Sequence, residues 1–277
     1  MPRMTNIALK TEVHGSGPGV LLAHGAGGSI ADNFGSLIPV LATNHTVVAP
    51  DYPADDTVLE LDALADALVA EAVERGVGTF TIVGYSLGAA VAVRAAVRHP
   101  DRVRALVLAA GFAKGDNRFR LAAQIWADTV ERGESDVFAR FILNVGYSAR
   151  FLNSLSPNQI DELRTLIAAH EPGGTVPQVR LAKSVDTTDD LQHIAVPTLV
   201  VNATADLLVD PNNSRALAEG ISGAKYIEID AGHVLMIERP EEWIRTISDY
   251  LSDNPGCRKP IARRTEALPY AKRQLDM

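Results

Sequence analysis

Short apolar runs alternate along this chain with longer segments of helical period, and no other feature constrains the fold more. The runs Val20-Leu21-Leu22-Ala23, Leu106-Val107-Leu108 and Leu199-Val200-Val201 are apolar at every position. A strand of that kind is buried on both faces, as in a parallel sheet covered by helices. Strands are expected at about 5–13, 19–23, 45–50, 79–84, 103–109, 197–202 and 225–229. Between them Leu61, Leu64, Ala65, Leu68 and Ala72 recur at helical spacing and form one apolar stripe. The Ala- and Val-rich segment 87–98 predicts a helix packed closely on the sheet. Alternation of this type predicts an α/β protein with a mostly parallel sheet.

The alternation lapses between about 113 and 190. There the apolar residues keep helical spacing throughout, as in Leu121/Ile125/Trp126/Val130 and Val137/Phe138/Phe141/Ile142. Ser156-Pro157 has the look of a helix N-cap followed by proline at the first helical position. Residues 113–189 are therefore expected to form a helical lid inserted into a core made of 1–112 and 190–253. From 254 to 277 the composition changes again. Arg258, Lys259, Arg263, Arg264, Lys272 and Arg273 face only Glu266 and Asp276, so this tail carries +4 and the remainder −12 of the overall −8. A loosely docked extension, or an arm for a partner, is expected.

An acidic body is a poor partner for nucleic acid, which wants a basic face. One cysteine, Cys257, allows no internal disulfide and no multi-cysteine metal site. No apolar h-region follows the first residues, and no apolar stretch reaches the ~18 residues of a membrane span. The cytoplasm is the expected location and a small molecule the expected partner.

Gly84-Tyr85-Ser86-Leu87-Gly88 follows an expected strand and opens an expected helix. A G-x-S-x-G turn in that context forces the serine into a strained backbone and lifts its hydroxyl above the sheet edge. It also sets the serine at a helix N-terminus, which favours developing negative charge. A serine needs a base to be nucleophilic. Of seven histidines, His233 lies in Ala231-Gly232-His233 after the last strand, at the carboxyl end where parallel sheets place ligands. His24 is expected to shape the Gly25-Ala26-Gly27-Gly28 loop, and His14, His45, His99, His170 and His193 to be solvated. The base needs an acidic partner. Asp206, just past the strand at 197–202, gives the chain order Ser86, Asp206, His233 expected of this elbow. Asp210 suits a helix cap better, and Asp116 is the fallback acid. Backbone N–H groups of Ala26 and Leu87 are the expected oxyanion donors. No Gly-Lys-Ser/Thr follows the glycines, which argues against a phosphate loop.

On His24-Gly25-Ala26-Gly27-Gly28, the elbow, Asp206, Gly232-His233 and the helix start Arg239-Pro240-Glu241-Glu242-Trp243, the sequence resembles the α/β-hydrolase fold superfamily over about residues 5–252. The resemblance implies helices on both faces of the sheet, a helical cap inserted after the sixth core strand, and no cofactor or metal. It departs where many relatives follow the fourth-strand Asp with a G-x-G-x-S turn. Here Asp51 precedes Tyr52-Pro53-Ala54-Asp55-Asp56-Thr57. The serine separates the chain from relatives that use Asp at the elbow, such as epoxide hydrolases.

The expected activity is hydrolysis of an ester, thioester or lactone of a small to medium, partly apolar substrate through an acyl-enzyme. Gly25, Tyr85, Phe112, Trp126 and Phe141 are candidate substrate contacts. Two other readings use the same residues: acyl elimination, cyclisation or transfer without water, and a ligand receptor with a vestigial triad. The Ala- and Arg-rich, Lys-poor composition suggests a GC-rich bacterial genome, where relatives serve natural-product biosynthesis.

Overall fold

The computed structural model describes residues 7–170 and 172–254. The basic tail, with Cys257, lies outside the described residues. Among the described residues seven strands form one sheet: β1 (Lys10–His14), β2 (Gly19–Ala23), β3 (Thr46–Asp51), β4 (Phe80–Tyr85), β5 (Val103–Ala109), β6 (Thr198–Ala203) and β7 (Lys225–Ile229). Their spatial order is β1-β3-β2-β4-β5-β6-β7. All neighbours are parallel except β1, which runs antiparallel to β3. The expected and observed strands agree to within a residue or two, save that the first begins at Lys10. The chain steps from β2 outward to β3, then returns across β2 to β4. That reversal opens a crevice beyond the carboxyl ends of β2 and β4, the place where open α/β sheets take ligands.

Between the strands run α1 (Ile30–Phe34), α2 (Ile38–Leu41), α3 (Leu61–Glu74), α4 (Leu87–Arg98), α5 (Asn117–Glu131), α6 (Ser135–Gly146), α7 (Ala149–Ser154), α8 (Pro157–Ala169), α9 (Thr175–Ser184), α10 (Pro211–Gly220), α11 (Leu235–Glu238) and α12 (Pro240–Asp253). Strand side chains alternate between two cores. Leu21, Ile82, Leu106, Leu108 and Val200 pack with α3, α4 and α10, while Val20, Leu22, Val83, Val107 and Val201 pack with α1, α2 and α12. The small residues of α4 let it lie flat on β2, β4 and β5, with Ala89, Ala90, Ala92 and Ala95 all buried. Trp243 of α12 is fully buried beside Phe34.

Helices α5 to α9 form the block that interrupts the alternation, with α5 on α6 and α9, and α6 on α8. Ser156 caps α8 in a reciprocal box with Gln159, and Pro157 holds the first helical position. At the neck of the block Thr187 N–H donates to Ala113 O at 2.8 Å and Lys114 bridges to Asp186. Among the described residues the block leaves the sheet after the fifth strand, β5, where the resemblance implies a sixth. Among the described residues only β1 precedes β2, one strand fewer than the resemblance implies. No helix among the described residues is long and apolar enough to cross a membrane.

Candidate active site

β4 ends at Tyr85, α4 starts at Leu87, and Ser86 between them makes the whole reversal at φ 54° and ψ −117°. That is the left-handed side of backbone space, costly for any residue with a side chain. The two glycines are required by close approach. A Cβ on Gly88 would overlap the carbonyl oxygen of Ala23, and one on Gly84 the carbonyl oxygen of Gly88. The Ser86 N–H is tied to Ala109 O at 2.9 Å, which anchors the turn to β5.

Three loops at the carboxyl edge then meet. His233 Nε2 lies 3.0 Å from Ser86 Oγ, and His233 Nδ1 lies 2.7 Å from Asp206 Oδ2. All three side chains are buried. The other oxygen of Asp206 accepts the N–H groups of Leu208 and Val209 at 2.9 and 2.8 Å. Those two donors fix which oxygen faces the imidazole. With a carboxylate opposite Nδ1, the ring proton belongs on Nδ1 and Nε2 is free to accept the Ser86 hydroxyl proton. The alternative acids are committed elsewhere. Asp116 caps α5 through the Phe119 N–H at 2.7 Å and accepts from Asn213 Nδ2 at 2.9 Å. Asp210 caps α10 through the Asn212 N–H at 2.9 Å.

The loop after β2 lies against the serine: a Cβ on Gly25 would stand 3.2 Å from the Ser86 Cβ. His24 holds this loop from below. Its Nδ1 donates to Gly25 O at 2.8 Å, and its Nε2 accepts the Tyr52 N–H at 2.9 Å while the ring stacks on Tyr52 at 3.7 Å. That pattern requires the neutral ring, and burial pushes the His24 pKa down to about 4. Asn33 Oδ1 takes the Gly25 N–H and Gln178 Oε1 takes the Gly27 N–H, each at 2.9 Å. The Ala26 N–H between them has no protein partner among the described residues. Leu87, as the first residue of α4, also has an N–H with no intrahelical acceptor. Two unspent donors thus adjoin a hydroxyl paired to an imidazole, an arrangement suited to acyl transfer.

The candidate contacts separate into two groups. Gly25 adjoins Ser86, and Trp126 of α5 covers Gly27, whose φ of +64° and close packing against the indole leave no room for a Cβ. Phe141 is half-buried on α6. Tyr85 and Phe112 are otherwise placed. The Tyr85 hydroxyl donates to His233 O at 3.0 Å with its ring 5.1 Å from the imidazole, so its polar end is spent on the histidine loop. Phe112 is buried against Phe119 at 4.7 Å, within the core. His45 corrects the surface expectation: it is buried, which lowers its pKa, and its Nδ1 lacks a partner among the described residues. Asn33, Gln178 and Glu238, which hold the loops at the carboxyl edge of the sheet, carried no sequence signal. Each resembles an ordinary polar residue of a helix, and only the tertiary contacts distinguish it. Among the described residues no group of three His, Cys, Asp or Glu side chains is arranged to hold a metal ion.

Comparison with known proteins gives a consistent result. The family model described as "Alpha/beta hydrolase family" matches residues 20–246. A pyrrolizixenacetamide deacetylase of Xenorhabdus hominickii is 32% identical over 247 residues, covering 86% of this chain and 92% of that protein. A pimeloyl-acyl-carrier-protein methyl ester esterase of Chromobacterium violaceum is 26% identical over 262 residues, covering 88% and 98%. Among solved structures, a thermophilic esterase from Thermogutta terrifontis superposes with a TM-score of 0.77 at 26% identity, covering 89% and 93%.

Proposed function

This chain belongs to the alpha/beta hydrolase family and is an enzyme of that family, and from that premise we propose that it hydrolyses an ester or amide-like acyl substrate through a serine acyl-enzyme. Ser86 attacks the carbonyl carbon as His233 Nε2 removes its proton. The new negative oxygen is held by the N–H groups of Ala26 and Leu87. Asp206 keeps the proton of neutral His233 on Nδ1 and stabilises the imidazolium once it forms. That imidazolium protonates the leaving group, and His233 then activates a water molecule that releases the acid. What carries the reading is the unbroken run from Ser86 Oγ through His233 to Asp206, at 3.0 and 2.7 Å, with both far-side donors to Asp206 in place.

The helices of 113–189 act in this reading as a lid, with Trp126 over the Gly25–Gly28 loop as the apolar contact for the substrate. The deacetylase relative is named for an acetamide and the esterase relative for a methyl ester. The substrate range to test therefore includes acetamides beside the esters, thioesters and lactones expected from the sequence. The experiment is mass spectrometry of products from that panel, with Ser86→Ala as control. Addition of one water to the products and its loss in Ser86→Ala are expected. Product masses without added water would overturn hydrolysis, and turnover by Ser86→Ala would overturn the nucleophile.

A further inference from the structure

Glu238 ends the four-residue helix α11, five positions after His233, where a glutamate is ordinarily solvated. Here it is buried, 6% exposed. No lysine or arginine among the described residues pairs with it. Its carboxylate is instead met by three donors. Oε1 accepts the Gly232 N–H at 3.1 Å and the Ser148 N–H at 2.7 Å, and Oε2 accepts the Ser148 hydroxyl at 2.5 Å. A buried carboxylate is tolerable only when its lone pairs are satisfied in this way. Ser148 is the N-cap of α7, where its Oγ also accepts the Phe151 N–H at 3.1 Å, so the same serine caps a helix of the inserted block. Two residues away the contact is repeated without a side chain, the Val234 N–H donating to Gly146 O at 3.1 Å. Both neighbours of His233 are thereby tied to the α6–α7 junction. Gly232 fits between the partners only as glycine, because a Cβ there would overlap Ser148 N and Glu238 Oε1.

We propose that Glu238 is a positioning residue that sets the height and orientation of the His233 loop by clamping Gly232 to Ser148 of the helical block. The inference rests on the serine-hydrolase reading. Tyr85 fixes the carbonyl of His233 from the sheet side, and Glu238 fixes its N-terminal neighbour from the block side. The imidazole then has little freedom to leave the line between Ser86 and Asp206. The clamp also makes the block a structural support of the base as well as a cover, so a change in the α6–α7 junction reaches catalysis without touching substrate.

The test uses the full chain, a chromogenic acetate ester and a fluorophosphonate probe for the serine, with thermal melts of every variant. Glu238→Ala removes the acceptors and lets the loop drift, and a drift of about 1 Å at a reacting group costs about 100-fold in kcat. The substrate is not contacted, so KM should stay within about threefold and the probe should label more slowly in proportion to kcat. Glu238→Gln keeps a carbonyl oxygen for the two N–H donors and should restore kcat to within about fivefold of the parent. Parental kcat in folded Glu238→Ala, a matching rise of KM, or Glu238→Gln as impaired as alanine would each overturn the proposal. Should Glu238→Ala not fold, Ser148→Ala decides. It strands Oε2 without its donor and should lower kcat about tenfold at unchanged KM, whereas unchanged kcat overturns the clamp. Ser86→Ala is run alongside: if it still turns over, the serine-hydrolase reading itself has failed, and if it is silent, the Glu238 outcomes bear on the clamp alone.

Discussion

Asp206→Asn separates a structural acid from a catalytic one. The substitution is nearly isosteric, and the structure dictates how the new amide must sit. Oδ1 of Asp206 receives two N–H donors, from Leu208 and Val209, while Oδ2 faces His233 Nδ1. In the orientation that keeps its oxygen on the two donors, the introduced amide turns its NH2 toward Nδ1. The flipped amide would leave two buried N–H groups without acceptors, at about 1–3 kcal/mol each. A penalty of about 2–6 kcal/mol makes the flipped form a minor species, below about one part in 20. The favoured amide donates to Nδ1, so the neutral ring must carry its proton on Nε2, pointing at Ser86 Oγ. In that tautomer His233 cannot accept the serine proton. The analogous change in serine proteases costs about 10⁴-fold, and about 10⁴-fold in kcat, or about 5.5 kcal/mol of barrier, is expected here. Steady-state hydrolysis of a chromogenic acetate measures it, and a circular-dichroism melt checks that the variant is folded. A folded Asp206→Asn enzyme with kcat within about tenfold of the parent would refute the tautomer reasoning.

Three further outcomes are expected. Gly88→Ala drives a methyl group into the backbone of β2 at Ala23; overpacking of about 3 kcal/mol should lower the melting midpoint by about 6–12 °C, and a calorimetric trace that matches the parent would show that the elbow has slack. Asp116→Ala removes the cap of α5 and should cost about 1 kcal/mol of stability, read by urea titration, with kcat unchanged; a collapse of activity in a folded variant would reinstate Asp116 as the acid. His24 is held neutral with its pKa depressed from 6.5 to about 4, so between those values the unfolded chain binds a proton that the folded one refuses. Stability is therefore complete above about pH 6.5 and falls as the pH drops toward 4, by up to about 3 kcal/mol. His24→Gln should lose part of that dependence in urea midpoints taken at several pH values, and identical pH slopes in the two proteins would exclude His24 as its source.

The fold was legible because its signals are local. Short, bounded apolar runs such as Leu106-Val107-Leu108 suit strands buried on both faces, and the Ala-rich stretch 87–98 is both a good helix and a thin one, which is what a helix lying on β4 must be. The elbow was legible for a related reason. Gly84 and Gly88 answer to backbone atoms of β2 and α4 that come close whatever the substrate, so their spacing survives as a pattern. Asp206 and His233 were singled out by their places after β6 and β7, and the structure brings both side chains into line with Ser86. The five runs ahead of the helical block were legible in the same way, whereas its placement after a sixth strand came from the resemblance and not from a run of residues in this chain.

The supports of the site were invisible for the opposite reason: their roles exist only across long sequence separations. Gln178 lies 151 residues from the Gly27 N–H it accepts, and Glu238 lies 90 from Ser148. Nothing in a helical window distinguishes either from a solvated polar residue. One ring follows the same logic in reverse. Tyr85 sits beside the nucleophile in sequence, but side chains alternate along β4, so a residue next to Ser86 is turned into the sheet face where its hydroxyl reaches His233 O. Adjacency in the chain pointed to the substrate, while the pleat of the strand directs the hydroxyl to the His233 loop. The inserted helices touch both halves of the site, through Gln178 and Trp126 at the Gly25–Gly28 loop and through Ser148 at Gly232. A block attached at both loops cannot swing away as a rigid cover without loosening the donors on one side and the base on the other.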